Sequence, residues 1–416
     1  MGVRTAFALA VLLLACRGDA TGGGGTPTAA SSTGAVGKSR SETAGAAAAA
    51  ECGEDPFAVA YAIYAMPWGS QGTRAQATAT AGPLADDEVV PLTAEARSQA
   101  GGGPGRLQCR VDSLPAPGLG PGVVGAALPG HRVLLVGGST PGAVVRPTTR
   151  SYVSIGGRWT TAELSAARTS HTATALADGR VLVTGGFQST VVQALRSSEV
   201  FDPASNQFVP TGDMRAARAN HAAALLPDGR VLIVGGQDER AQLLATTELY
   251  DPAGGQFLPG PEHGAGQVLA AVPLQDGRVL VIGAQVASLF DPVRATFTAV
   301  GKPLAARTGG ASAVRLTDGR VLVTGGFSGA RSTALAEVFD PATGSFAPVG
   351  PMQAARRFHL VLPLPDGRAW VLGGIGEDGD SLDSTELFDA RAGSFTMHTV
   401  RLARAGAELA GTVLVP

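Results

Sequence analysis

The chain has 416 residues with 58 glycines, 27 prolines and 5 % aromatics, so it is rich in turns and must build its cores from Val, Leu and Ala. A formal charge of −2 leaves no excess of positive charge to neutralise phosphates. That excludes a general polyanion-binding surface and argues against a nucleic-acid partner.

Residues 1–15 carry one basic residue, Arg4, and then an apolar run over 6–14. The run has the length of a signal-peptide core and is too short for a permanent membrane span. It ends in Leu13-Leu14-Ala15-Cys16, which resembles a bacterial lipobox. The resemblance implies cleavage before Cys16, acylation of its thiol and export to the cell envelope, at the outer membrane or cell surface. Residues 17–51 are mostly Gly, Ala, Ser and Thr. They offer too little apolar surface to offset ordering entropy and read as a disordered tether. With Cys16 acylated, two cysteines remain, and a Cys52–Cys109 disulfide is the economical pairing in an exported protein. Two buried free thiols are the alternative.

From residue 121 onward one pattern recurs. A short apolar strand A is followed by an Asp-Gly turn, at residues 178, 228, 276, 318 and 366. Asp-Gly favours a two-residue hairpin turn with both central residues at positive φ. Strand B is a continuous apolar run such as Val181-Leu182-Val183, which suits a strand covered on both faces. It ends in paired glycines, as at Gly185-Gly186. Strand C carries Glu, an apolar residue, an aromatic and Asp-Pro, as at residues 199–203, 248–252 and 337–341. A second aromatic opens strand D. The aromatic pairs are Tyr152/Trp159, Phe201/Phe208, Tyr250/Phe257, Phe290/Phe297, Phe339/Phe346 and Phe388/Phe395, always with six residues between. The recurring arginines Arg132, Arg180, Arg230, Arg278, Arg320 and Arg368 lie 48, 50, 48, 42 and 48 residues apart. A unit of that length cannot bury its own core and must stack on its neighbours.

Paired glycines and two aromatics at fixed spacing, repeated six times, resemble the kelch repeat over about residues 121–403. The resemblance implies an all-β propeller of four-stranded antiparallel blades around one axis, akin to the central domain of galactose-oxidase-like proteins. Three departures stand out. Unit 4 has Gly283-Ala284 for the glycine doublet and Ser288 for the strand C glutamate, and unit 1 lacks Glu and Asp-Pro around Tyr152.

The six units leave residues over at both ends. Residues 405–416 look like another strand A, residues 57–66 and 88–92 offer strands B and C, and residues 107–114 offer a strand D. Residues 52–416 divided by seven give about 52 residues per blade, close to the repeat. Seven blades, with residues 52–120 completing the last, are therefore favoured over six blades and a small disulfide-bonded cap.

In kelch-like propellers the B–C loops and the lead-in segments before strand A share the usual ligand face. Here the lead-ins carry Arg168, Arg218, Arg307, Arg356 and Arg404, and three of them place His171, His221 and His359 three residues later. Forked arginine donors suit an anionic or hydroxylated ligand. The alternative is that residues present in most units tie the lead-ins to the blades. The histidines lie on different units, not at a compact metal-ligand spacing. Residues 377–383 gather four carboxylates without the spacing of a helical calcium loop. Between Ala284 and Phe290 lie only five residues, so the loop face should dip at unit 4.

No nucleophile motif, phosphate-binding loop or nucleotide signature is present, and no metal or cofactor is expected. The copper chemistry of galactose-oxidase-like enzymes needs a cysteine–tyrosine cross-link, yet no cysteine follows Cys109. The favoured function is a membrane-anchored, monomeric binding scaffold for a protein or carbohydrate. The alternative is a cofactor-free sugar-acid isomerase or lyase on the same ring.

Overall fold

The computed structural model describes residues 122–398, apart from residues 131, 140–146, 156–157, 189–192, 265 and 365. It also describes the backbone of Leu14–Arg17, Ala50–Glu51, Ala60–Tyr64, Gln108–Val111 and Ala410–Leu414. The described residues contain strands and turns and no helix. Each of the six units is a four-stranded antiparallel sheet, as the repeat implies. Unit 2 sets the pattern with A at Thr172–Ala175, B at Val181–Thr184, C at Ser198–Asp202 and D at Gln207–Pro210.

Packing between sheets explains the unbroken apolar run of strand B. Side chains alternate across a strand, so consecutive residues serve different cores. Val181 and Val183 pack with Leu134 and Val136 of unit 1, whereas Leu182 packs with Val231 and Ile233 of unit 3. The same relay runs through Leu232 and Leu280 to Leu322, which meets Val371 of unit 6. Every strand B position is therefore interior, and burying each Val or Leu contributes about 1.5–3 kcal/mol.

The innermost strands form a closed succession. Val123–Leu128, Thr172–Ala175, Ala222–Leu225, Val268–Pro273, Ser312–Arg315 and Leu360–Pro363 each lie beside the next. Ala410–Leu414 touches Leu360–Pro363 on one side and Val123–Leu128 on the other. It belongs to a five-stranded sheet in the order Ala410–Leu414, Ala60–Tyr64, Leu14–Arg17, Gln108–Val111, Ala50–Glu51. Tyr61 stands opposite Val413, and Cys16 opposite Cys109. Residues 88–92, Cys52 and Arg404 lie outside the described residues, as do nearly all of 1–16 and of the tether.

Two expectations need correction. The Asp-Gly turn is not a two-residue hairpin with both residues at positive φ. In unit 2 only Gly179 has positive φ, at 85°. Its amide donates to the Leu176 carbonyl (3.0 Å), while the Leu176 amide donates to the Arg180 carbonyl (2.8 Å). This is a three-residue loop with glycine at its left-handed position. Asp178 fixes it by accepting the Arg180 amide at 3.0 Å and the Arg180 Nε at 2.7 Å.

The aromatic pairs face each other across strands C and D in units 2 to 6, with centroids 4.8 to 5.0 Å apart. In unit 1 they do not. Tyr152 stands opposite Thr161, and Trp159 opposite Ser154, so the rings are 6.5 Å apart. The cause lies in the turn. In unit 2 the Asp202 carboxylate accepts the Ala204 amide (2.8 Å) and holds a four-residue link. Unit 1 lacks Asp-Pro and joins its strands through residues 156–157 alone. The shorter link shifts the register by two.

Candidate functional site

The lead-in arginines bind inward. Arg218 is fully buried. Its Nη1 donates to the carbonyls of Gly235 (2.8 Å) and Thr246 (3.2 Å), and its Nη2 to Glu248 (2.8 Å). Arg168 pairs with Glu199 at 2.9 Å, Arg356 with Glu386 at 2.7 Å, and Arg307 with Glu337. Each glutamate also accepts lead-in amides. Glu248 takes those of Arg215 (2.7 Å) and Ala216 (3.2 Å). Burial lowers the pKa of Arg168, Arg218 and Arg356, and the glutamates oppose that shift. A guanidinium stays charged under such a shift. These pairs fasten each lead-in across strand C of its own unit, and the guanidiniums are enclosed. Unit 4 confirms the logic: it has no arginine between Pro259 and Arg278, and Ser288 replaces the glutamate.

The histidines fasten one unit to the previous one. His221 is buried, with Nε2 within 2.9 Å of Thr172 Oγ1 and 3.0 Å of Thr184 Oγ1 in unit 2. His359 Nε2 lies 2.7 Å from Thr324 Oγ1 in unit 5. His171 packs against Gly137 of unit 1. Burial and the neighbouring arginine lower the His221 pKa to about 3. His171 and His359 are pushed well below the usual histidine value for the same first reason. All three are neutral in the folded protein at pH 7.

Paired glycines make room for these crossings. A Cβ at Gly185 would stand 2.3 Å from the Arg218 carbonyl, and the Gly186 amide donates to that carbonyl at 2.9 Å. The doublet is thus a docking point for the next lead-in.

At the inner end of each lead-in the chain turns through a left-handed residue before strand A. Ser170 and Asn220 have φ of 54° and Phe358 has φ of 51°. The Asn220 amide donates to the Ser170 carbonyl (3.0 Å), and the Phe358 amide to the Gly310 carbonyl (2.8 Å). Ser170, His171, Thr172, Asn220, His221 and Val268 line a cavity of about 310 Å³ between the inner strands, so two of the three repeat histidines border it. Beyond it stand the B–C loops. Unit 4 closes tightly, with the Gly283 amide donating to the Val286 carbonyl (2.8 Å). Unit 5 instead raises a small hairpin, Phe327–Ser328 with Arg331–Ser332. In unit 6, Glu377 of the acidic loop pairs with the exposed Arg331 at 3.1 Å. The cluster of Phe327, Arg357 and Phe358 at this rim escaped the sequence reading. The signal that marks them in the sequence is that they break the repeat.

The family profile described as Kelch motif matches residues 218–264 and 310–353. A curated relative, Kelch-like protein 35 of Mus musculus, is 30 % identical over 81 residues, 20 % of this chain and 14 % of that protein. Among solved structures, a fungal alcohol oxidase of the AA5 family, in complex with copper, superposes with a TM-score of 0.54 at 20 % identity, over 68 % of this chain and 66 % of its own. The structure of YjhT superposes with a TM-score of 0.53 at 15 % identity, over 68 % of this chain and 98 % of its own. Among the described residues no three His, Cys, Asp or Glu side chains are grouped to hold an ion. The repeats, their sheets and these likenesses make the fold that of a kelch-repeat β-propeller.

Proposed function

We propose that this protein is a binding scaffold, exported and held at the cell envelope by a lipid on Cys16, whose loop face receives a protein or carbohydrate. One observation carries the binding reading. The repeated polar residues are consumed in fastening units together, while the loops on one face differ from unit to unit around the axial cavity. Loop variation on a rigid frame is how such folds acquire partners. Capture of ligands on peptide and glycan arrays by the full chain tests it. Replacing the unit 5 hairpin (residues 327–332) with the tight unit 4 turn should abolish the captured signal. Retention of the signal would argue against the loop face.

The anchor reading rests on the lipobox. Cys16→Ser should move the protein from membrane to soluble fractions, and unchanged fractionation would reject it. Cleavage before Cys16 removes half of the strand Leu14–Arg17. We therefore read the mature ring as seven blades, with residues 88–92 taking that place beside Ala60–Tyr64. A Cys52–Cys109 disulfide would then staple the blade built from both chain ends, and nonreducing peptide mapping should recover the two cysteines in one linked fragment.

A further inference from the structure

We infer that Arg357 and Phe358, at the junction of units 5 and 6, form a binding site for a carboxylate carried on a flat or apolar body. The inference rests on the loop-face reading and names the chemistry of its ligand.

Equivalent positions show how unusual the cluster is. Arg357 exchanges backbone hydrogen bonds with Ile375, as Ala219 does with Gln237 and Thr169 with Phe187. It therefore stands where other units place threonine or alanine. Phe358 stands where they place Ser170, Asn220 or Gly310. A bulky residue at φ 51° is strained, and such strain persists where surrounding structure or function demands it. The ring lies over Gly310, where an added Cβ would be 3.3 Å from Phe358 Cε1. It meets Phe327 edge to face, with centroids 5.6 Å apart at 81°.

The charge is equally distinctive. The Arg357 guanidinium lies 4.6 Å from the centroid of the Phe327 ring. Its Nη1 donates to Ser332 Oγ (2.6 Å) and to the Gly376 carbonyl (3.3 Å), which fixes its orientation. Its Nε is enclosed and without a partner, as is that of Arg168, Arg218 and Arg356, and among the described residues its Nη2 has no acceptor. The four lead-in arginines each have a glutamate, but no carboxylate pairs with Arg357 among the described residues. A partly buried guanidinium whose Nη2 is unused is completed by a carboxylate that accepts a charge-assisted hydrogen bond from it. The adjacent Phe358 ring offers an apolar surface for the body that carries it.

Benzoate and its neutral isostere benzamide test this with the full chain, by isothermal titration. Benzoate should bind about tenfold or more tightly than benzamide, a difference of ~1.4 kcal/mol. Arg357→Gln should remove that preference, and Arg357→Lys should restore part of it. Phe358→Gly should weaken both probes without lowering the melting temperature, because glycine accepts the left-handed backbone. Glucuronate and the dipeptide Asp-Phe, run in parallel, separate a sugar source from a peptide source. Equal binding of the two probes, no binding of benzoate, or a preference that survives Arg357→Gln would overturn the site. An array ligand unaffected by Arg357→Gln would overturn this site and leave the scaffold reading intact. Benzoate binding without any array ligand would do the reverse.

Discussion

At the scale of single residues, the recurring arginines are held by glutamates of their own units, while His171 and His221 both bridge units and border the axial cavity. Breaking a buried ion pair such as Arg218–Glu248 by removing one partner costs about 3–5 kcal/mol, because the other charge is left uncompensated. Unit 4 escapes that cost by losing both partners. This pairing was legible in the sequence, since arginine and glutamate are absent together from unit 4. The inward direction of the arginines was not, because periodicity says which residues recur but not which way they face. His221 yields a pH prediction. Its folded pKa of about 3 lies below the usual 6.5 of the unfolded chain. The unfolded state then binds the extra proton, so this contribution is complete above about pH 6.5 and shrinks as pH falls toward about 3. Unfolding free energies in urea should fall between pH 7 and pH 4.5, and His221→Gln should flatten that slope. An unchanged slope in the variant would assign the acid sensitivity to other groups.

At the scale of elements, the hairpins follow rules that the sequence shows only in part. The Asp-Gly signal located the turn between strands A and B in units 2 to 6, but the loop proved one residue longer, with the aspartate holding the Arg180 amide and Nε in unit 2. The constant aromatic spacing failed in unit 1, because spacing alone does not reveal the length of a turn. The glycine doublets were visible as paired glycines, and their reason, the lead-in of the next unit, was not. Two substitutions separate backbone preference from that docking role. Gly185 and Gly229 have positive φ, at 59° and 86°. A Cβ at Gly229 meets nothing within 4 Å, while one at Gly185 meets the Arg218 carbonyl at 2.3 Å. Gly229→Ala should cost roughly 1–2 kcal/mol, the ordinary penalty for a left-handed alanine. Gly185→Ala should cost clearly more and loosen the junction of units 2 and 3. Equal losses in thermal unfolding would show that the contact with the lead-in contributes nothing.

At the scale of the whole molecule, the repeat made the ring readable from unit 1 to unit 6. The chain ends were harder, because they carry neither the Asp-Gly-Arg turn nor the spaced aromatics, and only a leftover strand pattern pointed to closure. That strand, Ala410–Leu414, stands between Leu360–Pro363 and Val123–Leu128 and pairs with Ala60–Tyr64. Trp370, in strand B of unit 6, replaces the leucine found there in units 2 to 5 and is only 7 % exposed. Consecutive strand B residues face opposite neighbours, so Trp370 faces the closing sheet and its fluorescence reports on it. An inner strand removed from a ring exposes the backbone of its partner and invites association with other chains. The most direct test of the account is therefore deletion of residues 405–416, compared with deletion of tether residues 18–48. The account predicts that only the first lowers the melting temperature, shifts Trp370 emission to the red and produces oligomers. A truncated protein that stays monomeric, with unchanged melting and emission, would contradict it.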